Sequence, residues 1–307
     1  NFDIGRVYAE AGTVYIEYTG DVSDINDAPE GGPTVNVTAD GLMAYAAGTG
    51  VFGPGDPIET VINKLQMKAS DDVNLVNYGD LTIGGVTVNL DGLAAIEVDT
   101  TGIPVGLYGI WQTNGDLSID VGANRLVIAG TILQAQDVVS GISPAQDFID
   151  ANAAPTFYGG NVTLVGADVV VGAPIRTAMA PVGGGGAITL VPTFEHTNII
   201  VTGYAVDGTA LADTELGRQW VLDSNFLANL QTNSSITIGQ AGHTGSLSFK
   251  GMGADVDLTG DVASWTFFGG ATSFADNTAF DATDLVNLYA NGAITGAGTG
   301  AGTVTGG

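Results

Sequence analysis

The side chains that could carry chemistry are few and scattered. His196 and His243 are the only histidines, and Glu195 adjoins the first. Adjacent residues of a strand point to opposite faces, so Glu195 and His196 are poorly placed to act together as base and acid. Both histidines are read as ordinary surface or loop residues. Asp255 and Asp257, in Gly-Ala-Asp-Val-Asp-Leu, do share a face. Paired carboxylates suit glycan cleavage or a Ca²⁺ site. The chain has no cysteine, which excludes a disulfide framework, a thiolate nucleophile and a thiolate metal site. With no nucleophile, base and orienting group in one pattern, the chain is not expected to be an enzyme.

The better cation candidate is Asp21, Asp24, Asn26, Asp27 and Glu30, within the acidic stretch DVSDINDAPEGG from Asp21 to Gly32. Clustered oxygen ligands match the preference of Ca²⁺, although the order is not that of an EF-hand. A solvated acidic loop is the alternative. No cofactor is required by this reading; Ca²⁺ is the one that the residues could bind. Lys250 to Leu258 compares with the calcium-binding nonapeptide Gly-Gly-x-Gly-x-Asp-x-apolar-x, but fails at Lys250 and Asp257. It also occurs once, where such binding needs repetition. The run Gly183 to Gly186 lacks a following Lys-Ser/Thr, so it is a turn and not a phosphate loop. Trp111, Trp220 and Trp265 are isolated, suited to core or interface and secondarily to stacking on sugars. Asn36, Asn161 and Asn233 head formal glycosylation sequons.

The elements that must position these residues announce themselves through a recurring phrase. It reads Gly-Asp-Leu-Thr-Ile at Gly79, Gly-Asp-Leu-Ser-Ile at Gly115, Gly-Asn-Val-Thr-Leu at Gly160 and Gly-Ala-Ile-Thr-Leu at Gly186. It returns as Ser-Ser-Ile-Thr-Ile at Ser234, Gly-Ser-Leu-Ser-Phe at Gly245 and Gly-Ala-Ile-Thr at Gly292. Apolar, Ser/Thr, apolar is the period of a half-buried strand. Repetition of one strand unit after turn chemistry predicts a solenoid in preference to a β-sandwich or barrel. The copies are unevenly spaced, mostly near one or two coils of about 22 to 25 residues. Loop insertions and a second strand within one coil account for the rest. Leu81, Ile83, Leu117, Ile119, Val162, Leu164, Ile188 and Leu190 should face inward, with Thr82 and Ser118 outward. Gly79, Gly115 and Gly160 should serve tight or stacked turns, and Asn77, Asn114 and Asn161 should satisfy turn backbone groups.

The expected architecture is therefore all-β: a right-handed parallel β-helix with short helical insertions. Residues 1–71 are expected to form an N-terminal β segment, either the first coils or an assembly region, and 72–307 a β-solenoid with insertions near 134–158 and 205–232. Val7 to Tyr18 and Val35 to Ala39 read as strands, and Ile58 to Lys68 as one helix or a strand pair. Ala210 to Gln231 reads as a helix from its apolar spacing, with Asp223 or Ser224 able to cap a shorter one. Ala282 to Ala290 reads as a further helical piece.

The net charge is −26, from 33 acids against seven basic residues, so nucleic acid and anionic lipid are poor partners. No apolar run approaches the roughly 18 residues of a membrane span. The chain opens without Met or a signal-peptide pattern, and Gly296 to Gly307 carries no capping signal. Solenoid ends need polar caps, so both ends are expected to continue into a longer polypeptide or to meet a neighbouring molecule.

The stretch from Gly55 to Val86, containing Pro-Ile-Glu-Thr at Pro57 and Asn-Tyr-Gly-Asp-Leu-Thr-Ile-Gly at Asn77, resembles a recurrent phrase of filamentous-haemagglutinin-like bacterial surface proteins. The Gly-x-Leu-Thr-Ile rhythm extends the resemblance along most of the remaining chain. It implies a right-handed parallel β-helix exported and displayed outside the cell. The function expected is that of an extracellular structural protein: a self-assembling filament, sheath or surface-layer subunit, or a segment of a larger surface protein. Homopolymeric partners are expected. The alternatives are an adhesin arm binding host or matrix glycans, and a polysaccharide lyase or hydrolase on a β-helix. The last would need a basic residue beside clustered acids, which the sequence does not offer.

Overall fold

The computed structural model describes residues 2–25, 34–46, 49–86, 108–134, 160–177, 185–203, 219–250, 256–258, 262–275, 280–281 and 285–296. These are mostly β-strand, and the strand pairings among them are parallel. They form an 18-stranded sheet, a five-stranded sheet and two two-stranded pairings. One helical turn, Ser224–Ala228, is the only helix among the described residues.

The strands stack in three ladders. In the first, Val73–Asn77, Leu117–Asp120, Val162–Gly166, Ile188–Pro192, Ser235–Ile238, Ser264–Gly269 and Leu285–Ala290 follow one another in register. Residues of one type lie over their like. Leu75, Ile119, Leu164, Leu190, Ile238 and Phe267 form one buried column, while Ser118, Thr163, Thr189, Thr237 and Thr266 form a column on the opposite face. Strands from Phe2–Ile4 and Val22–Asp24 continue it downward through isolated bridges at Phe52.

The second ladder stacks Leu81–Ile83, Arg125–Ile128 and Asp168–Val171. The third stacks Lys64–Ala69, Tyr108–Gln112, Thr131–Gln134, Ile175–Arg176 and Leu230–Gln231. In the earliest layers the strands Val7–Tyr18 and Val37–Ala46 run on from the first ladder, which they meet through Ile58–Val61, into the second and third, with a register shift between Ala9 and Thr13. Pairing runs without a break from Lys64–Ala69 to the later strands, across the position where the sequence reading divides the chain. Inward residues of the ladders join one hydrophobic cluster. At about 1.5–3 kcal/mol for each fully buried aliphatic side chain, these columns dominate the stability of the fold.

Leu81, Ile83, Leu117, Ile119, Val162, Leu164, Ile188 and Leu190 are all buried, and Thr82 and Ser118 lie on the outer face, as expected. The phrase, however, serves two ladders. Its copies at Gly115, Gly160, Gly186 and Ser234 belong to the first ladder, and that at Gly79 to the second. The copy at Gly245 enters the five-stranded sheet. Switching accounts for the steps from Gly79 to Gly115 and from Ser234 to Gly245, while the copies within the first ladder are unevenly spaced through the connections between them.

Ile58 to Lys68 forms a strand pair, Ile58–Val61 and Lys64–Ala69. Two helical expectations are corrected. Residues 210–218 lie outside the described residues, but Gln219–Leu222 is a strand, and only Ser224–Ala228 is helical before the chain re-enters the sheet at Leu230. Asp223 caps that turn by accepting from the Phe226 backbone N–H at 2.8 Å. Leu285–Ala290 is also a strand, paired with Ser264–Gly269. The insertion expected near 134–158 falls almost wholly outside the described residues.

The five-stranded sheet has an order that chain sequence alone would not give. Gln219–Leu222 pairs with Asn198–Thr202 on the side away from Leu247–Lys250. The chain thus turns back toward earlier layers before advancing. Trp220 fixes this reversal: its ring is buried and its Nε1–H donates to the Ala167 carbonyl at 2.8 Å.

Candidate functional site

The repeated strands are joined at their entry corners by side-chain acceptors. In three successive layers of the first ladder, the residue just before the first inward position offers an oxygen to the backbone N–H of the next layer. Asp72 Oδ1 accepts from Asp116 N at 2.7 Å, Asp116 Oδ1 from Asn161 N at 2.8 Å, and Asn161 Oδ1 from Ala187 N at 2.9 Å. The second ladder repeats the device, with Asp80 Oδ1 accepting from Arg125 N at 2.9 Å. Arg125 in turn meets Asp168 at 2.7 Å. Asn198 does the same for Ser246 N in the five-stranded sheet. Aspartate and asparagine interchange here because both offer that acceptor oxygen; Asn161 Nδ2 also donates to Asp116 Oδ1 at 3.1 Å.

Backbone crowding accompanies these corners. Gly115 has φ +80, and a Cβ on Gly160 would strike the Gly115 carbonyl. Gly79 is different: a Cβ there would meet only ordinary contact, so the expected need for glycine does not apply. Asn77 fulfils its expected role, buried and donating to Ile62 O and Gly79 O while accepting from Thr60 Oγ1 and Ile62 N. At the C-terminal ends of two neighbouring strands of the third ladder, Gln134 Nε2 donates to Gln112 Oε1 at 2.7 Å, both side chains being buried.

Of the proposed cation ligands, Asp21 and Asp24 flank the strand Val22–Asp24, and Asn26, Asp27 and Glu30 lie outside the described residues. Asp21 Oδ1 accepts from Val51 N at 3.0 Å, and Asp24 Oδ1 accepts from Asn36 Nδ2 at 2.6 Å. Both carboxylates therefore hold neighbouring layers. Among the described residues, no three His, Asp or Glu side chains gather as a metal site. Asp255 and the Asp257 side chain also fall outside them, although the Val256–Asp257 backbone pairs with Phe280–Asp281.

The histidines separate. His196 is exposed and its ring lies 5.6 Å from that of Phe194. His243, expected at the surface or in a loop, lies between strands but is fully buried, with Nε2 2.7 Å from the Thr197 carbonyl. That carbonyl can only accept, so Nε2 carries the proton, and Nδ1 is bare with no partner among the described residues. Burial pushes its pKa below the usual histidine value, opposed by the Thr197 carbonyl and Glu195, with His196 adding to the depression. Asn36, the first sequon asparagine, is buried and bonded on both sides.

One outward group was not singled out by the sequence. Glu17, Tyr45, Lys68 and Trp111 occupy one in-register row across four layers. Lys68 Nζ sits 5.2 Å from the Tyr45 ring centre and 4.4 Å from that of Trp111. Tyr15 joins the row through its hydroxyl, which donates to Glu17 Oε2 at 3.3 Å. Burial, then the charge of Glu17 and its hydrogen bond, push the Tyr15 hydroxyl up to about 12. No residue of this row is adjacent in sequence, so only the register brings it together. Among the described residues no helix is long and apolar enough to cross a membrane.

Compared with protein-family models, with curated proteins and with solved structures, the chain matches none.

Proposed function

We propose that the three ladders are the faces of one right-handed parallel β-solenoid, and that the protein is an extracellular structural element. It would assemble as a filament, sheath or surface-layer subunit, or serve as a segment of a larger surface protein. The observation that carries this reading is the in-register column of like residues, from Val73 to Val286 in the first ladder, over one continuous core. Parallel crossovers are right-handed with few exceptions, which supports the handedness. Such a stack presents a regular outer surface and invests its residues in rigidity. The resemblance around Gly55 to Val86 supports display outside the cell.

Self-association is supported by the last described layer. Leu285, Tyr289 and Ile294 are exposed at 60%, 56% and 48%, and their strands pair on one side only among the described residues. A parallel edge left unpaired among the described residues, with apolar side chains, is a template for further strands, and a heterologous contact of that kind propagates. Sedimentation over a concentration series with negative-stain microscopy tests the proposal. Arms with Ca²⁺ and with chelator test whether a cation must offset the −26 charge. Concentration-dependent growth into regular fibres or sheets is expected in at least one arm. A monodisperse monomer in both would overturn the assembly reading and favour an adhesin segment.

A further inference from the structure

We propose that the row Glu17, Tyr45, Lys68 and Trp111, with Tyr15 beside it, is a binding site for a neutral glycan chain. Tyr45 and Trp111 belong to alternate layers of one ladder, with Lys68 between them. Strand spacing therefore sets their backbones about 9.5 Å apart, a span that admits consecutive pyranose rings. Tyr45 is 37% exposed, and Lys68 and Trp111 are half-buried. Register and parity place all of these side chains on the outer face of the sheet.

The chemistry of the row selects its ligand. Two ring systems offer apolar faces, the Lys68 ammonium donates hydrogen bonds, and the Glu17 carboxylate accepts them. A partner must therefore combine apolar C–H faces with both donors and acceptors at short spacing. The protein charge of −26 repels polyanions at long range, and Lys68 already occupies the position a cationic ligand would take between the rings. A hydroxyl-rich, uncharged sugar chain meets every condition. This site goes beyond the structural role and does not depend on whether copies assemble.

The intact protein reports on its own site. Trp220 and Trp265 are 1% and 2% exposed, so Trp111 is the tryptophan that a surface ligand can reach. Intrinsic fluorescence is titrated with tetrasaccharides of glucose, mannose and N-acetylglucosamine, and with a heparin fragment as the anionic comparison. A neutral-glycan array read with fluorescently labelled protein extends the panel. A saturable response to at least one neutral glycan is expected, weakened about tenfold or more in Trp111→Ala and Tyr45→Ala, the loss typical of a truncated aromatic anchor. Circular dichroism checks that each variant is folded. Lys68→Met, which keeps the stem and removes the ammonium, should also weaken binding and covers the case in which a ring truncation unfolds its layer. No saturable binding to any neutral glycan, binding to heparin alone, or binding unchanged in the folded variants would overturn the proposal.

Discussion

A carboxylate at Asp116 and a carboxamide at Asn161 serve the same purpose in successive layers, each accepting one backbone N–H from the layer that follows. In the sequence the asparagines read as turn residues and the aspartates as charge. Asp21 and Asp24, singled out for their affinity for cations, also serve as acceptors within the fold. What concealed this is that acceptor partners come from the next layer, 30 residues on from Asp21 and 44 from Asp72. His243 was concealed in the same way, since its burial depends on Thr197, 46 residues away. Its ring has a pH consequence. A folded pKa held below the ordinary value of about 6.5 contributes stability that is present above that value and lost as pH falls through the folded pKa. Protonation would give Nδ1 a hydrogen with no acceptor. Glu195 opposes the effect and His196 reinforces it. Thermal melts across pH 8 to 4 should therefore show the advantage of the native protein over His243→Gln shrinking below about pH 6.5. A gap that stays constant with pH would contradict this account of the ring.

At the scale of the element, parity was legible and partnership was not. The period-two phrase assigned Leu117 and Ile119 inward and Ser118 outward because alternation is a property of the strand alone. Which strand neighbours which is decided by the lengths of the connections, and the phrase was used on different ladders without distinction. Equivalent strands such as Leu126–Ile128 and Trp265–Phe267 went unnoticed because they fill the same columns with different residues. The helix read at Ala210 to Gln231 arose from superposed signals. Trp220 and Leu222 alternate in a strand, Phe226 and Leu227 lie in one capped turn, and Leu230 returns to the sheet. Together they mimic a three-to-four spacing. For Leu285–Ala290, pairing with Ser264–Gly269 overrides the helical preference of Leu and Ala. The parity assignment sets a clear expectation for denaturation. Ile119→Ala should lower stability by about 2–5 kcal/mol, whereas Ser118→Ala and Thr163→Ala should stay within about 0.5 kcal/mol. Equal costs at inward and outward positions would reverse the faces.

At the scale of the molecule, the columns convert a weak local signal into a specified stack. A slip of one residue in any layer would turn its apolar column to solvent, and the corner acceptors and the Gly115–Gly160 contact add steric and polar penalties to any such slip. The row holding Tyr45, Lys68 and Trp111 exists only because of that register, so the proposed glycan site as well as the structural reading depends on it. The absence of cysteine makes the register directly measurable. Ser118 and Thr163 are register partners on the outer face, as are Thr163 and Thr189, while Ser118 and Thr189 stand two layers apart. Adjacent parallel strands lie about 4.8 Å apart, within the Cα separation a disulfide accepts, and a two-layer gap of about 9.5 Å exceeds it. Each pair is introduced as two cysteines, oxidised in the folded state and mapped by mass spectrometry. The stacked architecture predicts rapid intramolecular bonds for Ser118→Cys with Thr163→Cys and for Thr163→Cys with Thr189→Cys, and none for Ser118→Cys with Thr189→Cys. A bond in the last pair, with none in the first two, would contradict the order of layers on which the whole account rests.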